Sequence, residues 1–398
     1  MTTRSFAFVL PRFGEGIIGG AETLAGSLAS QLAKRGSRVE VFTTCARDNR
    51  SWKNEFPAET SIEFGIQVHR YPVDERDLDS WIPHQIRISE GMRLTVDEQL
   101  EWMSEGVNSK ALYSELFRRS REFDAILFAP YLFATTFWGS MIAREKAILI
   151  PCLHDESYAY LEVIASMFGQ VRGALFNSLP EQRLARSLYG AIKGGEVGMG
   201  FEPLCPAEGE LGPYLAGQEP YLVYVGRKET GKNVHKLIDY FCQAKDDGRI
   251  DPNLKLVIAG GGDFSDLHRE EAGKREDIVD LSHLSERDKR AVIKHSLALV
   301  QPSVNESFSI VLMEAWQLKV PVLVDGGCAV TRHHVEQSGG GLYYEGAAEF
   351  AETVRLLLSD SGMRRKLAAG GKEYVAGYYS WDAVLARFDS VMEQFLNA

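Results

Sequence analysis

The chain has 398 residues, too many for one average domain and enough for two domains of about 200 residues, each with its own core. Charged residues make up 25% and hydrophobic residues 45%, which is ordinary for a soluble α/β protein. The formal net charge of −11 argues against nucleic acid as the main partner and gives no general attraction to anionic lipid, although a local basic face is compatible with it.

The cysteines and the N-terminus bear on the cellular compartment. Five cysteines, at positions 45, 152, 205, 242 and 328, show neither CxxC pairs nor metal-ligand spacing, which is typical of a reducing cytoplasm. The first apolar run is too short for a signal peptide, and no stretch approaches the roughly 18 apolar residues of a membrane span. We therefore expect a cytoplasmic protein, with peripheral contact at the inner membrane face left open.

The first elements predict a βαβ unit. Its strand, helix and strand are expected at Phe6 to Leu10, about Ala21 to Arg35, and Val39 to Thr43. Gly19 and Gly20 lie at the start of that helix, where glycine permits close approach of the backbone to a ligand, although such a loop is as often only a turn. Glu22 fits slightly better as a surface residue matched to the helix dipole than as a ligand contact.

From residue 47 to residue 106 the periodicity gives way to charged and aromatic segments. The pattern predicts a long irregular insertion, which in a compact domain is usually functional or mobile. Acceptor contacts and a solvated excursion are equally compatible with it.

Regular alternation then resumes and predicts a parallel, doubly wound sheet with ligands at the carboxyl ends of its strands. The strands are expected at Ala125 to Ala129, Ala147 to Cys152 and Gly173 to Phe176, and the helices at Phe133 to Arg144, Tyr158 to Phe168 and Pro180 to Tyr189. His154 falls just beyond a strand end, in PCLHDE. An imidazole there can donate to a sugar hydroxyl or a phosphate, whereas a lone histidine elsewhere is more often a packed residue.

A segment dense in Pro, Gly and Glu places the domain boundary at about residue 201. The second domain restarts with a strand at Tyr221 to Val225, followed by Arg227 and Lys232 in a turn that leads into a helix. Both cations can converge on an anion near the helix N-terminus, or they are simply solvated loop residues.

Two later patterns resemble binding motifs but are not interpreted as binding sites. The run Gly260-Gly261-Gly262-Asp263 lacks GxGxxG spacing, so it predicts a tight turn at the end of a strand. His333 and His334 are adjacent, point about 100° apart on a helix and have no carboxylate at a standard offset, so we predict no metal site.

The stretch from Leu297 to Val324 predicts a buried strand, a loop, a helix capped by Ser307 or Ser309, and a second strand. The N-terminus of that helix is suited to a phosphate. Glu306 precedes the helix and Glu314 lies about five residues into it, roughly 7 to 8 Å along the axis. As hydrogen-bond acceptors they match the hydroxyls of a nucleotide sugar, or they are a solvated loop charge and a first-turn glutamate.

These residues carry a resemblance to a known family. ESFSIVLME resembles the E-x7-E signature of the family-4 retaining glycosyltransferases, with Ser307 and Ser309 where glycines are usual. YVGRKETGKN resembles the family's Gly-Arg and Lys-Gly motif, with Asn233 in place of glycine. The family also has a histidine at the position of His154, and a terminal helix, here residues 380–398, that returns to the first domain.

The resemblance implies a GT-B fold: two Rossmann-like, doubly wound parallel-sheet domains facing a central cleft. Residues 1–200 with 380–398 would form the acceptor side, and residues 201–379 would bind the donor. The implied catalytic residues are Glu306, His154, Arg227 and Lys232. The implied donor-binding residues are Gly19, Gly20, Arg227, Lys232, His283, Leu284, Glu306, Ser307, Phe308, Ser309, Ile310 and Glu314.

The implied reaction is transfer of a hexosyl unit from a nucleotide diphosphate sugar to a hydroxyl acceptor, with retained configuration and without a metal or other cofactor. UDP or GDP is the expected nucleotide, and a glycan or glycolipid of the cell envelope is the expected acceptor. A sugar-nucleotide epimerase or phosphorylase of similar fold, and a non-catalytic nucleotide-sugar binding protein, stay open as alternatives.

Overall fold

The computed structural model describes residues 4–17, 19–204, 220–282 and 284–396. The chain forms two compact units in this description. The first runs to Gly200 and includes the segment from Trp381 onward, and the second extends from Phe201 to Ser380. The roles of these units as acceptor side and donor side stay predictions.

The first unit is built on a mainly parallel sheet. The strands within its described residues are β1 (Ser5–Val9), β2 (Arg38–Thr44), β3 (Thr60–Glu63), β4 (Ile66–Tyr71), β5 (Ala125–Phe128), β6 (Ala147–Leu149), β7 (Gly173–Phe176) and β8 (Gly194–Glu196). Their order is β3-β4-β2-β1-β5-β6-β7-β8, with β3 antiparallel to β4 and the other neighbours parallel. Strand β5 is buried at every position, as expected for a parallel sheet covered on both faces.

The helices of the first unit follow its strands. They are α1 (Gly20–Lys34), α2 (Leu78–Ser89), α3 (Val96–Ser104), α4 (Lys110–Arg119), α5 (Ala134–Ser140), α6 (Glu162–Gln170) and α7 (Leu179–Tyr189). In α1 the leucines at four-residue spacing, Leu24, Leu28 and Leu32, are all buried. The predicted apolar face is therefore the one that packs against the sheet.

The segment from residue 47 to residue 106 is not the irregular insertion that the sequence pattern predicts. It holds β3, β4, α2 and α3, and β4 extends the sheet by pairing in parallel with β2. Local capping sets the helix starts: the Asp77 side chain accepts from two backbone N–H groups of α2, and Thr95 with Glu98 forms a capping box on α3. Weak apolar periodicity concealed these short, well-capped elements.

Other differences are smaller. Helix α5 is shorter than predicted, α6 is preceded by a separate 3-10 turn at Ser157–Tyr160, and neither α4 nor β8 was expected. Strand β8 has no apolar residue to predict it. Its Gly194 lies so close to β7 that a Cβ would be 1.9 Å from the carbonyl oxygen of Ala174, so close backbone approach defines this strand.

The second unit contains a fully parallel sheet in its described part. Its strands are β9 (Tyr221–Val225), β10 (Lys255–Ala259), β11 (Ile278–Leu281), β12 (Ala298–Gln301), β13 (Val322–Asp325) and β14 (Gly341–Tyr344), in the order β11-β10-β9-β12-β13-β14. The order reverses between β9 and β12, which are neighbours in the sheet but not in sequence. Loops at the carboxyl ends of strands beside such a switch point are where doubly wound sheets bind ligands.

The remaining helices are α8 (Val234–Asp246), α9 (Glu286–Lys294), α10 (Ile310–Gln317), α11 (Ala329–Ser338), α12 (Ala347–Ser359), α13 (Ser361–Tyr378) and α14 (Trp381–Leu396). Helix α14 belongs to the first unit, where the Phe388 ring lies 5.6 Å from that of Phe6 in an edge-on contact. Its buried side chains, among them Val384, Met392 and Phe395, form the apolar face that the helical spacing predicts.

Candidate functional site

Helix α10 follows β12 through a loop that ends in a left-handed residue. Ser309 is the N-cap, with φ 68° and ψ 76°, and its hydroxyl makes no capping hydrogen bond. The hydroxyl instead accepts from Gln301 Nε2 at 3.3 Å. Ser309 thus occupies the N-cap position that the sequence predicts for one of the two serines, but the left-handed backbone turns the chain into the helix without a side-chain cap from Ser309. Such a conformation favours glycine.

The N-terminus of α10 has the features of an anion site. The N–H of Leu312 donates to the carbonyl of Ser309 at 3.2 Å, so the terminus offers an anion the N–H groups of Ile310 and Val311 and the positive end of the helix dipole. Phe308 is buried, and its ring packs edge-on against His334 at 5.6 Å and Tyr379 at 5.0 Å. The Phe308 side chain thus anchors the loop to the core, and only its backbone can face a ligand.

Lys232 and Glu306 are brought together, although 74 residues separate them in sequence. Lys232 Nζ lies 2.8 Å from Glu306 Oε1, with 31% and 12% of the side chains exposed. Lys232 ends a 3-10 turn after β9, and Asn233 then adopts φ 55° before α8. Asparagine tolerates this left-handed conformation, which explains how it can stand where the resembling motif has glycine.

Glu314 has a partner that sequence reasoning missed. Its Oε1 lies 2.9 Å from Nζ of Lys289 on α9, and Lys289 also lies 2.9 Å from Glu286. Burial lowers the pKa of Lys289, but the two carboxylates outweigh this effect, so that its pKa is raised. The sequence signalled only the local pair with Glu286, three residues away on one helix face.

Arg227 is not brought to the pair of Lys232 and Glu306. Its Nη1 lies 2.8 Å from Glu229 Oε1, and more than half of the Arg227 side chain is exposed. The adjacent Lys228 is the buried cation, with Nζ 2.6 Å from the carbonyl oxygen of Gly260 and 2.9 Å from Asp280 Oδ1. The expected convergence of Arg227 and Lys232 is therefore absent from the described contacts.

The glycine run after β10 forms the tight turn that its spacing predicts. Gly260 and Gly262 have φ values of 134° and 94°, and a Cβ on Gly260 would lie 2.1 Å from the carbonyl oxygen of Gly226. Of the two implied donor-binding residues that follow β11, Leu284 is half-buried and His283 lies outside the described residues.

His154 follows β6 in the first unit. Its Nδ1 lies 3.4 Å from Glu156 Oε1, which accepts from the Tyr131 hydroxyl at 2.9 Å. The sequence analysis identified neither Glu156 nor Tyr131 as a partner. Tyr131 lies in the loop after β5, and only the fold brings it near His154. The glutamate orients the imidazole and leaves Nε2 for another contact.

A buried carboxylate holds the chain next to His154. Glu181, near the start of α7, accepts from the backbone N–H groups of Leu153 at 2.6 Å and Asn177 at 2.5 Å. Burial raises the pKa of Glu181 to about 8, although these N–H groups act in the opposite direction. Glu181 thus links the loops that follow β6 and β7.

At the start of α1, Gly19 has a steric reason to be glycine. A Cβ there would lie 2.1 Å from Glu22 Oε2, whereas a Cβ on Gly20 would meet nothing within 4 Å. Glu22 is not the surface residue that its position favours, because it is mostly buried and pairs with Arg12 at 2.5 Å. Arg12 also donates to the carbonyl of Arg47 at 3.0 Å. Nothing in its sequence context marked Arg12.

His334 is a core residue. It is fully buried, its Nδ1 lies 3.1 Å from the Tyr374 hydroxyl, and burial lowers its pKa to about 3. The described residues contain no group of three side chains suited to hold a metal ion. A helix long and apolar enough to cross a membrane is likewise absent from the described part of the chain.

Two parallel-sheet α/β units in succession place the chain in the GT-B class of folds, and comparison with solved structures agrees. The sucrose-phosphate synthase of Thermosynechococcus elongatus superimposes with a TM-score of 0.72 at 16% identity, covering 99% of both chains. HepE of Anabaena, solved with UDP and glucose, gives 0.70 at 15% identity over 99% of this chain and all of that one. Likeness at this level of identity establishes the fold.

The second unit is matched by sequence as well. Residues 213–374 match the family model described as Glycosyl transferases group 1. An uncharacterized glycosyltransferase of Methanocaldococcus jannaschii is 29% identical over 219 residues, which cover 53% of this chain and 54% of that protein. The chain thus spans about half the length of this curated relative, and its match to the family model lies in the second unit.

Proposed function

We propose that the protein is a retaining glycosyltransferase that moves a hexosyl unit from a nucleotide diphosphate sugar to a hydroxyl acceptor. The observation that carries this proposal is the pair of Lys232 and Glu306 beside α10, in the unit that matches the group 1 glycosyl transferases. A cation for phosphate and a carboxylate for sugar hydroxyls stand together next to a helix N-terminus. The nucleotide sugar is also supported by the fold relative solved with UDP and glucose.

In this proposal each residue has a defined task. The donor diphosphate lies on the N–H groups that begin at Ile310 and receives a hydrogen bond from Lys232. Glu306 accepts hydrogen bonds from hydroxyls of the hexose, and Glu314 accepts hydrogen bonds from the ribose hydroxyls. Arg227 reaches the diphosphate only after leaving Glu229, which the exposure of both side chains allows.

The proposed reaction proceeds on one face of the sugar. The bond between the anomeric carbon and the diphosphate oxygen breaks, and the acceptor oxygen forms the new bond from the same side. The acceptor proton passes to a phosphate oxygen of the donor. Lys232 and the helix N-terminus stabilise the charge that develops on the leaving diphosphate, which is the role that a divalent ion takes in other transferases. His154 would donate to the donor sugar or phosphate from the first unit.

We further propose that no metal or organic cofactor is required, that the nucleotide is UDP or GDP, and that the acceptor is a glycan or glycolipid of the cell envelope. Support for the first point is the cationic and helix-terminal charge already present at the site. The acceptor rests on analogy with the resembling family alone.

The first experiment is a thermal-shift panel of UDP, GDP, ADP and their sugars on the full chain. A ligand at 100 times its dissociation constant stabilises the folded state by about 2.7 kcal/mol, so the matching nucleotide should stand out. The selected donor is then incubated with candidate glycan acceptors in EDTA, and the anomeric configuration of the product is read by NMR. Inverted product, or activity that EDTA abolishes, would contradict the retaining, metal-free mechanism.

A further inference from the structure

A ligand-sized cavity lies in the second unit, away from the N-terminus of α10. It has a volume of about 770 Å³, within the range of roughly 300–1,000 Å³ that small-molecule sites occupy. Leu297 and Pro321, which line it, directly precede β12 and β13. The cavity is thus at the amino edge of the sheet, whereas the candidate donor site is at the carboxyl edge, about 13 Å away along a four-residue strand.

The lining of this cavity is strongly basic in a chain whose net charge is −11. Its charged members are Lys294, Lys319, Arg364, Arg365, Lys372 and Glu373. Five cations against one carboxylate leave a formal charge of +4 around one space. Such a concentration of like charge costs free energy unless an anion offsets it.

Most cations elsewhere in the second unit are neutralised within the protein. Lys232, Lys289 and Arg275, for example, each lie within 3.0 Å of a carboxylate oxygen. In the described part of the chain, neither Arg365 nor Lys372 has a carboxylate within 4.0 Å. The same holds for Lys319 and Arg364 within the described residues.

Helix electrostatics account for only part of this arrangement. Lys294 and Lys319 lie at the C-terminal ends of α9 and α10, where cations are favoured by the dipole. Arg364 donates to the carbonyl oxygens of Leu357 and Leu358 at the end of α12. Arg365 and Lys372 have no such explanation.

Arg365 in fact lies near the N-terminal end of α13, where the dipole disfavours a cation. Its Nη1 donates a hydrogen bond of 3.3 Å to Ser361 Oγ, which leaves most of the guanidinium donors available. Lys319 adds an exposed ammonium group from a left-handed residue with φ 60°. Three donors with formal positive charge therefore face one cavity, whose other walls include Val320, Pro321 and Ala368.

We propose that this cavity binds a small phosphate-bearing polyanion through Lys319, Arg365 and Lys372. The chemistry fits an oligophosphate, or a phosphorylated metabolite whose organic body packs on the apolar wall. Helix α10 connects the two sites, since it starts at the candidate donor site and ends next to Lys319. The inference does not depend on the donor assignment, because it uses none of the same residues.

The test is calorimetric titration of the full chain with inorganic tripolyphosphate and, separately, with fructose 1,6-bisphosphate at 0.15 M salt. The triple variant Lys319→Ala, Arg365→Ala and Lys372→Ala should weaken binding of both by at least tenfold. Lys366→Ala removes an exposed lysine of the same helix that does not line the cavity, and it should change affinity less than twofold. The tighter of the two probes identifies which kind of phosphate compound the site prefers.

Lys232→Ala distinguishes this site from the donor site, since it should leave tripolyphosphate binding at the cavity intact. If the triple variant does not fold, the charge reversal Lys372→Glu at an exposed position replaces it, and it should cause the same loss of affinity for both probes. Three results would overturn the proposal: no binding of either probe, equal weakening by Lys366→Ala, or loss of binding in Lys232→Ala with none in the cavity variants.

Discussion

At the residue scale, two ion pairs hold the carboxylates of the candidate site. Lys232 and Glu306 neutralise each other across 2.8 Å, as do Lys289 and Glu314 across 2.9 Å. In the proposed complex the first pair must loosen, because the lysine turns to phosphate and the glutamate to sugar. The free energy of the contact between Lys232 and Glu306 therefore sets a cost for donor binding.

This exchange predicts opposite effects at the two ends of the Lys232 and Glu306 pair. Lys232→Ala should weaken nucleoside diphosphate binding by roughly 10- to 100-fold, since a hydrogen bond to a charged group contributes about 1.5–3 kcal/mol. Glu306→Ala should keep or improve that affinity, because it releases the lysine, yet abolish sugar transfer. Calorimetry on both variants measures the nucleotide affinity and turnover assays measure sugar transfer, with Lys366→Ala as the control for the loss of one positive charge. Normal turnover in Glu306→Ala would refute its role.

Glu314 has a separate prediction, because its proposed partner is the ribose. Glu314→Ala should weaken binding of the nucleoside diphosphate but leave pyrophosphate, which has no ribose, nearly unaffected. The double variant Glu314→Ala with Lys289→Met controls for the lysine that Glu314→Ala leaves with Glu286 as its carboxylate partner. Equal weakening of both ligands by Glu314→Ala would show that the residue acts on the phosphates or on the fold instead.

At the element scale, the left-handed turn into α10 sets the direction of the helix terminus. Comparison of Ser309→Gly with Ser309→Ala isolates the steric cost of the left-handed backbone, since both variants remove the hydroxyl that Gln301 contacts. Because glycine adopts φ 68° without steric cost, the glycine variant should be more stable than the alanine variant by about 1 kcal/mol. Chemical denaturation measures the difference, and equal stability would mean that the turn is not strained.

Glu181 predicts a pH dependence of the loop that carries His154. Its folded-state pKa of about 8 lies above that of an unfolded glutamate, so its contribution to stability is complete in acid and is lost as pH rises towards 8. The melting temperature should fall as pH rises from about 4.5, the ordinary pKa of glutamate, to about 8, and Glu181→Gln should flatten that slope. At low pH the Glu181→Gln variant should be less stable than the native protein, because the side-chain NH₂ group of glutamine would face a backbone N–H group. An unchanged slope would exclude Glu181 as the titrating group.

At the scale of the whole molecule, the sequence predicted those strands and site residues that a short local pattern encodes. Buried parallel strands are continuous apolar runs, so the strands predicted at Gly173 to Phe176 and Tyr221 to Val225 agree with the structure residue for residue. The motif around Glu306 gave the position of a candidate site, and Lys232 lies in contact with it. These parts could be found because each depends on a short stretch of chain.

The parts that were missed depend on distant contacts. Strand β8 exists because Gly194 allows close backbone approach to β7, and Lys289 meets Glu314 only after α9 and α10 have packed. The pair of Arg12 and Glu22 and the cavity around Lys319, Arg365 and Lys372 likewise bring together residues with no common pattern. No periodicity or spacing rule reaches across such separations.

The central claim is that a donor's paired phosphates bind at the N-terminus of α10. A crystal structure of the protein with the nucleoside diphosphate selected by the thermal-shift panel tests it most directly. The account predicts phosphate oxygens within hydrogen-bond distance of the backbone N–H of Ile310 and of Lys232 Nζ, with Glu314 on the ribose. Phosphates bound to other residues, with the pair of Lys232 and Glu306 still closed, would contradict it.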